Sequence, residues 1–196
     1  MRSGAIVLAA GGSTRLGQPK QLLPYRGETL VRRIVDAAVA AGCAPVVVVV
    51  GETRERIADA LRGTLVELVD NAAWQRGMGT SIKRGVEHLR EAHPTTASVV
   101  LLACDQPFVD GSVVAALITE HETSSKPIVA SRYADTLGIP ALFDRTMFDA
   151  LLGLHDERGA KPLIEANLER VAAIEFNAGA IDIDTPADVD ALKSND

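Results

Sequence analysis

A short loop near the N-terminus gathers the residue types needed to hold phosphate. Gly11-Gly12-Ser13-Thr14-Arg15-Leu16-Gly17-Gln18-Pro19-Lys20 carries two adjacent glycines and, five residues apart, the cations Arg15 and Lys20. Adjacent glycines allow close approach to the backbone and present N–H groups to anionic oxygens. Bare backbone beside positive charge is what a phosphate-binding turn requires. The loop fits neither of two common alternatives. A P-loop ends in Gly-Lys-Ser/Thr, and the dinucleotide fingerprint reads Gly-x-Gly-x-x-Gly. Here the glycines are Gly11, Gly12 and Gly17. On residue types alone, a tight turn with two solvated cations has the same composition. Cys43 and Cys104 are too few for a disulfide scaffold or a thiolate zinc site, and each adjoins an apolar run, so buried free thiols are expected. His88, His93, His121 and His155 are scattered and read as surface or structural residues.

The elements that position this loop follow from the apolar pattern. Short runs at 5–10, 45–50, 65–69 and 98–103 are rich in Val, Leu, Ile and Ala, the pattern of strands covered on both faces. Between them lie helical periods. Thr29 caps one through Leu30, Ile34, Val35 and Ala38, ending near Gly42; a second runs from Arg54 to Arg62. A third runs from Ser81, as its cap, to Ala92; a fourth opens at Asp110 or Ser112. Strands are expected at 128–130, 140–143, 171–176 and 181–184, with helices at 145–152 and 160–168 and another opened by Thr185-Pro186. This alternation predicts an α/β fold, a three-layer, Rossmann-like, mostly parallel sheet with helices on both faces. In such sheets ligands bind beyond the carboxyl ends of the strands. Residues i and i+2 of a strand share a face, so Asp182 and Asp184 can point the same way.

Composition bounds the partners. The 196 residues suit a single domain, 1–196, and at 47% hydrophobic and 23% charged they can bury a core. A net charge of −6 argues against broad binding to nucleic acid or to an anionic membrane, but not against a local basic site for a small phosphorylated ligand. There is no convincing signal peptide and no apolar run of membrane-spanning length, so a cytoplasmic protein is expected, by default a monomer.

Leu8-Ala9-Ala10-Gly11-Gly12-Ser13-Thr14-Arg15-Leu16-Gly17-Gln18-Pro19-Lys20 resembles the signature of the MobA-like nucleotidyltransferase family, whose fold is GT-A-like. The resemblance implies that Leu8, Ala9, Ala10, Gly11 and Gly12 bind nucleotide and that Arg15 and Lys20 act catalytically on the triphosphate. Three further segments fit the same family. Asn71-Ala-Ala-Trp74-Gln-Arg-Gly77-Met78-Gly-Thr-Ser81 resembles the segment that recognises the base, implicating Asn71, Gly77, Met78 and Ser81. Trp74 there is equally explained by packing. Cys104-Asp105-Gln106-Pro107 resembles the strand-end motif whose Asp binds Mg²⁺, although an Asp before Pro is also a common turn former. Ile181-Asp182-Ile183-Asp184-Thr-Pro resembles the late strand that supplies a further metal or phosphate ligand, which implies a metal role for Asp182 and Asp184, with Asp184 as a helix cap the alternative.

Within the family, Leu-Ala-Ala-Gly at 8–11 and Asp-Gln-Pro at 105–107 are similar to the molybdenum cofactor cytidylyltransferases. Gly138-Ile139-Pro140 and the segment Asp156 to Lys161 resemble that branch's acceptor side, implying acceptor contacts from Gly138, Pro140, Gly159 and Lys161. Ile139 stands where the branch often has His, Asp156-Glu157 where it has Gly-Asp, and Lys161 where it has Arg, the better bidentate phosphate ligand. These departures lie on the acceptor side. The implied activity is Mg²⁺-dependent nucleotidyl transfer from an NTP, with CTP favoured, to a phosphorylated acceptor of the molybdopterin type, releasing pyrophosphate. A molybdoenzyme or chaperone would receive the product. A sugar or alditol phosphate acceptor, a non-catalytic nucleotide- or pterin-binding accessory protein, and an NAD- or SAM-dependent Rossmann enzyme are the alternatives.

Overall fold

The computed structural model describes residues 2–13 and 16–193. Its centre is a seven-stranded sheet in the order β5-β4-β1-β6-β8-β7-β9. The strands are β1 (Ser3–Leu8), β4 (Val46–Val50), β5 (Glu67–Asp70), β6 (Ser98–Ala103), β7 (Ile128–Tyr133), β8 (Thr136–Asp144) and β9 (Val171–Glu175), while β2 (Pro24–Tyr25) and β3 (Glu28–Thr29) form a separate small hairpin. All neighbours in the large sheet are parallel except β8, which runs antiparallel to both β6 and β7. β1 lies between β4 and β6, with Val7 opposite Val48 on one side and Leu102 on the other. The chain winds outward from β1 in one direction through β4 and β5, then returns to the other side at β6. The loop after β1 therefore leaves the sheet where the winding reverses, the usual place for a ligand crevice.

Helices cover both faces: α1 (Leu30–Ala40), α2 (Arg54–Ala60) and α4 (Gly111–Ser124) on one side, α3 (Met78–Ala92), α5 (Phe148–Leu152) and α6 (Lys161–Glu165) on the other, with α7 (Pro186–Lys193) last. β4 shows why its run is continuous. Val46, Val48 and Val50 enter the core beneath α1 and α2, whereas Val47 and Val49 enter the core beneath α3. Both thiols, Cys43 and Cys104, are free and buried.

Helix starts follow their capping chemistry. Thr29 Oγ1 accepts from the Arg32 amide at 3.3 Å, and Asp110 accepts from the amides of Ser112 and Val113, making Asp110 rather than Ser112 the cap. Ser81 is not a cap: α3 begins three residues earlier, at Met78, and Gly77 holds the cap position with φ +126. The third apolar run is displaced, since β5 spans Glu67–Asp70 and Leu65 is 96% exposed.

Residues 181–184 do not form a strand. Ile183 is instead buried with Leu23, Tyr25, Leu30, Val189 and Leu192, in a small third core that clamps the C-terminal segment against the β2–β3 hairpin. Its amide donates to the Asp105 carbonyl at 2.9 Å. Thr185 and Asp188 close a capping box at α7, the Thr185 amide donating to Asp188 Oδ2 at 2.7 Å and the Asp188 amide to Thr185 Oγ1 at 3.3 Å. No helix among the described residues is long and apolar enough to cross a membrane.

Candidate functional site

The loop after β1 is held by its own neighbours. The Lys20 amide donates to Ser13 Oγ at 2.9 Å, closing the loop. Gln21, almost wholly buried, donates from Nε2 to the carbonyls of Ala9 at 3.0 Å and Gly11 at 2.7 Å. These bonds fix the backbone at Ala9 and Gly11, just beyond the end of β1 at Leu8. Arg15 lies outside the described residues.

Lys20 does not reach into open solvent. Its Nζ lies 2.6 Å from Asp105 Oδ2 and 2.9 Å from Asp184 Oδ1, so one ammonium joins the end of β6 to the C-terminal segment. Burial alone would lower the Lys20 pKa, but the charges and hydrogen bonds of Asp105 and Asp184 outweigh it and the net shift is upward. The lysine is therefore a fixed cation throughout the physiological range. Asp182 stands beside this pair at the rim. Asp182 is exposed overall, but desolvation of its carboxyl where it faces the site, followed by the charges of Asp105 and Asp184, pushes that carboxyl up to about 6. Asp182 and Asp184 thus both reach the site from an extended segment with no sheet ladder, held by the burial of Ile183 between them.

Two adjoining clefts meet at Asp105. One, of about 340 Å³, is walled by Leu8, Ala10, Gly11, Gly12, Trp74 and the Gly77–Met78 turn, with Lys20, Gln21, Ser81 and Asp105 at its base. The loop also borders a neighbouring cleft of about 380 Å³ that shares Trp74 and adds Glu52 and Thr53. Trp74 fits because Gly51 has no side chain: a Cβ there would lie 2.9 Å from the indole. The third cleft, about 260 Å³, lies on the far side of Asp105 and is lined by Met78, Tyr133, Gly138, Gly159, Lys161 and Asp182. Its wall is organised by Gln106, whose Nε2 donates to the carbonyls of Ile139 at 3.0 Å and Gly179 at 3.2 Å, and by the Tyr133 hydroxyl, which donates to Ile139 at 3.0 Å.

The sequence-derived candidates are thus brought together, with exceptions. Asn71 lies beneath the first cleft rather than in its wall. Its Nδ2 donates to Thr80 Oγ1 and Ser81 Oγ, each at 2.9 Å, and its Oδ1 accepts from the Ala73 amide at 3.0 Å, so it orders the turn instead of facing the cavity. Ala9 is buried behind Gly11, and Pro140 is buried in β8, its carbonyl accepting from Ser131. The sequence assigns no role to Gln21 or Tyr133, and Gln106 enters it only within the Asp-Gln-Pro motif at 105–107. Adjacency to Lys20 is the one local signal for Gln21; Tyr133 has none.

The two halves of the site are also bolted together. Gly79 donates its amide to the Asp156 carbonyl at 2.9 Å, and Lys83 Nζ donates to the Leu154 carbonyl at 3.1 Å and pairs with Asp156. A Cβ on Gly79 would lie 2.1 Å from the His155 carbonyl oxygen and 2.8 Å from that of Arg158. Both are backbone atoms that cannot swing aside. Gly79→Ala is expected to destabilise the protein by about 1–3 kcal/mol, the usual range for overpacking. Gly153→Ala serves as the control, since its Cβ would meet nothing nearer than 3.5 Å. Thermal melts of the two variants check this; coincident curves would show that the 155–158 loop yields freely.

The raised Asp182 pKa makes a second prediction. A carboxyl whose folded pKa lies above its unfolded value favours folding most at low pH, and that advantage is lost as pH rises from about 4 through about 6. In chelated protein, Asp182→Asn should therefore raise Tm at neutral pH, and the gain should shrink as the pH falls to about 4. A pH-independent difference would remove the charge interaction as its cause.

A cleft at the reversal point of the sheet, floored by glycine backbone and backed by paired charge, is the arrangement of α/β proteins that handle nucleotides at the carboxyl edge of their strands. The chain belongs to the MobA-like NTP transferase domain family, whose model matches residues 5–171. It is 36% identical over 118 residues to nicotine blue oxidoreductase of Paenarthrobacter nicotinovorans, covering 59% of this chain and 55% of that one. It is 33% identical over 192 residues to the bifunctional protein GlmU of Mycolicibacterium vanbaalenii, covering 92% of this chain and 38% of that protein. The chain thus spans little more than half, or less, of these curated relatives. The crystal structure of Rv0371c from Mycobacterium tuberculosis H37Rv superposes with a TM-score of 0.85 at 30% identity, covering 99% of this chain and 98% of that one. A complex of Rv0371c with manganese superposes with a TM-score of 0.79 at 30% identity, covering both chains in full at 100%.

Proposed function

We propose that this chain transfers a nucleotidyl group from CTP to the terminal phosphate of a molybdopterin-type acceptor, with Mg²⁺, releasing pyrophosphate. The observation that carries it is the Lys20 ammonium held between Asp105 and Asp184 at the seam of two clefts. One cleft has the glycine loop and an indole suited to a nucleotide; the other presents Lys161 and Asp182 to an acceptor.

The acceptor phosphate has a second pKa near about 6, so at neutral pH it is largely dianionic and needs no general base. An acceptor oxygen forms a bond to the α-phosphorus while the bond from that phosphorus to the β-bridging oxygen breaks, and pyrophosphate leaves with the electron pair. The difficulty is bringing a dianion to a polyanion. Lys20, positioned by its carboxylate partners, supplies fixed positive charge to the oxygens that gain charge. The Gly11–Gly12 amides orient the phosphates, and Trp74 offers a face for the base.

The site fits a hard divalent cation. Asp105 and Asp184 already hold a positive group, and Mg²⁺ needs only one or two carboxylates beside water and phosphate oxygens. Asp105, with Asp184 or Asp182, would hold the ion, which when bound neutralises phosphate charge as a Lewis acid.

CTP preference rests on the Leu8-Ala9-Ala10-Gly11 resemblance, and the acceptor on the segments around Gly138 and Gly159. A thermal-shift screen of the four NTPs, each with and without Mg²⁺, comes first, because a ligand at 100 times its Kd stabilises by about 2.7 kcal/mol. Pyrophosphate release is then measured with molybdopterin and with sugar and alditol phosphates. Release requiring CTP, Mg²⁺ and molybdopterin is expected. Release only with a sugar phosphate would replace the acceptor, and nucleotide binding without release would make the chain an accessory binder. An oxidoreductase among the relatives shows that this family name covers proteins named for other chemistry, and absence of any nucleotide shift would sink the transfer reading.

A further inference from the structure

Far from this site, Glu67, His88 and His93 form a second chemical cluster. Glu67 opens β5 at the end of the strand away from the clefts, His88 lies late in α3, and His93 directly follows that helix. The start of α3 borders the first cleft, so the 15-residue helix separates the two sites by roughly 20 Å at 1.5 Å per residue. Glu67 Oε2 lies 2.5 Å from His88 Nε2, and Glu67 Oε1 lies 2.7 Å from His93 Nε2. One potential ligand atom from each residue lies within 4.8 Å of the others. All three residues are only partly buried, so one side of the cluster is open to solvent.

Burial pushes the Glu67 carboxyl up, but hydrogen bonds from the two imidazoles outweigh it and hold it below the ordinary carboxylate range. The carboxylate is therefore ionised at neutral pH. Two imidazole nitrogens and one carboxylate oxygen make a donor set that suits zinc and its borderline neighbours, whereas Mg²⁺ prefers oxygen alone. An ion in the cluster would take the place of the two Nε2 protons, which return to Nδ1 or to solvent, and water would fill the open position.

We propose that Glu67, His88 and His93 form a zinc-type metal site that clamps the edge strand β5 to the C-terminal end of α3. Because α3 carries the Gly77–Ser81 turn at its other end, the clamp secures the helix that forms one wall of the nucleotide cleft.

The test is a calorimetric titration of chelator-stripped protein with ZnCl₂ in excess MgCl₂. The unmodified chain should take up one zinc equivalent and gain in Tm. His88→Gln and His93→Gln should each lose that equivalent, while Asp105→Asn keeps it. No zinc uptake by the unmodified chain, or uptake unchanged in both histidine variants, would overturn the proposal and leave an ion-pair cluster only. Loss of uptake in Asp105→Asn alone would assign the zinc to the clefts and overturn it equally. A cobalt(II) titration of the unmodified chain needs no variant to fold. Visible d–d bands distinct from those of aqueous cobalt are expected, and the aqueous spectrum throughout would count against the site.

Discussion

Lys20→Ala is expected to lower turnover by roughly 10²–10³-fold, the loss that follows removal of one preorganised transition-state donor. Lys20 is the residue for which this range applies because its charge is already in place before any ligand arrives. Its ammonium is mostly shielded, at 16% side-chain exposure, and is fixed by Asp105 at 2.6 Å and Asp184 at 2.9 Å. Deleting it also leaves two carboxylates facing each other beside Asp182, so metal-free Lys20→Ala should melt below the unmodified chain, and added Mg²⁺ should narrow the gap. Removing one partner of a well-buried ion pair costs about 3–5 kcal/mol, and partial exposure of Asp184 places this site below that range. Lys20→Arg is not a conservative rescue, because a planar guanidinium cannot occupy the same point between two carboxylates. The measurement is steady-state pyrophosphate release alongside melts with and without Mg²⁺. Near-normal turnover would remove Lys20 from the mechanism, whatever the melts show.

The second large effect belongs to Asp105. Asp105→Asn should reduce turnover by about 10²-fold, comparable with the loss of one electrostatic contact, and should shift the Mg²⁺ requirement to higher concentration. The fold should survive. The structural bond of this residue is its backbone carbonyl, which accepts from the Ile183 amide, and an asparagine keeps it. An amide is also nearly isosteric with the carboxylate, so the clefts on either side retain their walls. What changes is the charge presented to a cation and the partner offered to Lys20. Activity is titrated with Mg²⁺ for both proteins. Superimposed curves would mean that Asp105 is not a metal ligand and that its pairing with Lys20 is its whole role.

Much of the site was legible in the sequence because its parts are local. A glycine turn after an apolar run, with Lys20 close behind, is a short-range pattern, and the structure places it at the carboxyl edge of β1. Asp105 is legible for the same reason, at the end of β6. Asn71 shows the limit of such reading. Its segment borders the cleft, but its amide is taken up by Ala73, Thr80 and Ser81. A motif gives the position of a side chain along the chain, not the hydrogen-bond partners that compete for it. The β7–β8 hairpin shows another limit. Its turn is Ala134-Asp135, both with positive φ, where glycine or asparagine is the usual signal.

The alternation of strands and helices, the apolar content of the sheet and the loops that carry charge are written locally in the order of residues. These follow from periodicity and capping, which act over a few residues. Packing of the whole domain is what brings β8 in antiparallel between β6 and β7 and keeps residues 181–184 off the sheet. Alternating polarity states which side chains are buried but not what buries them. For Ile183 the partner is the cluster of Leu23, Tyr25 and Leu30, not a neighbouring strand. That choice brings Asp184 to Lys20 across 164 residues of chain and completes the charged centre. Contacts of such separation depend on the packing of the whole domain, and no local pattern encodes them.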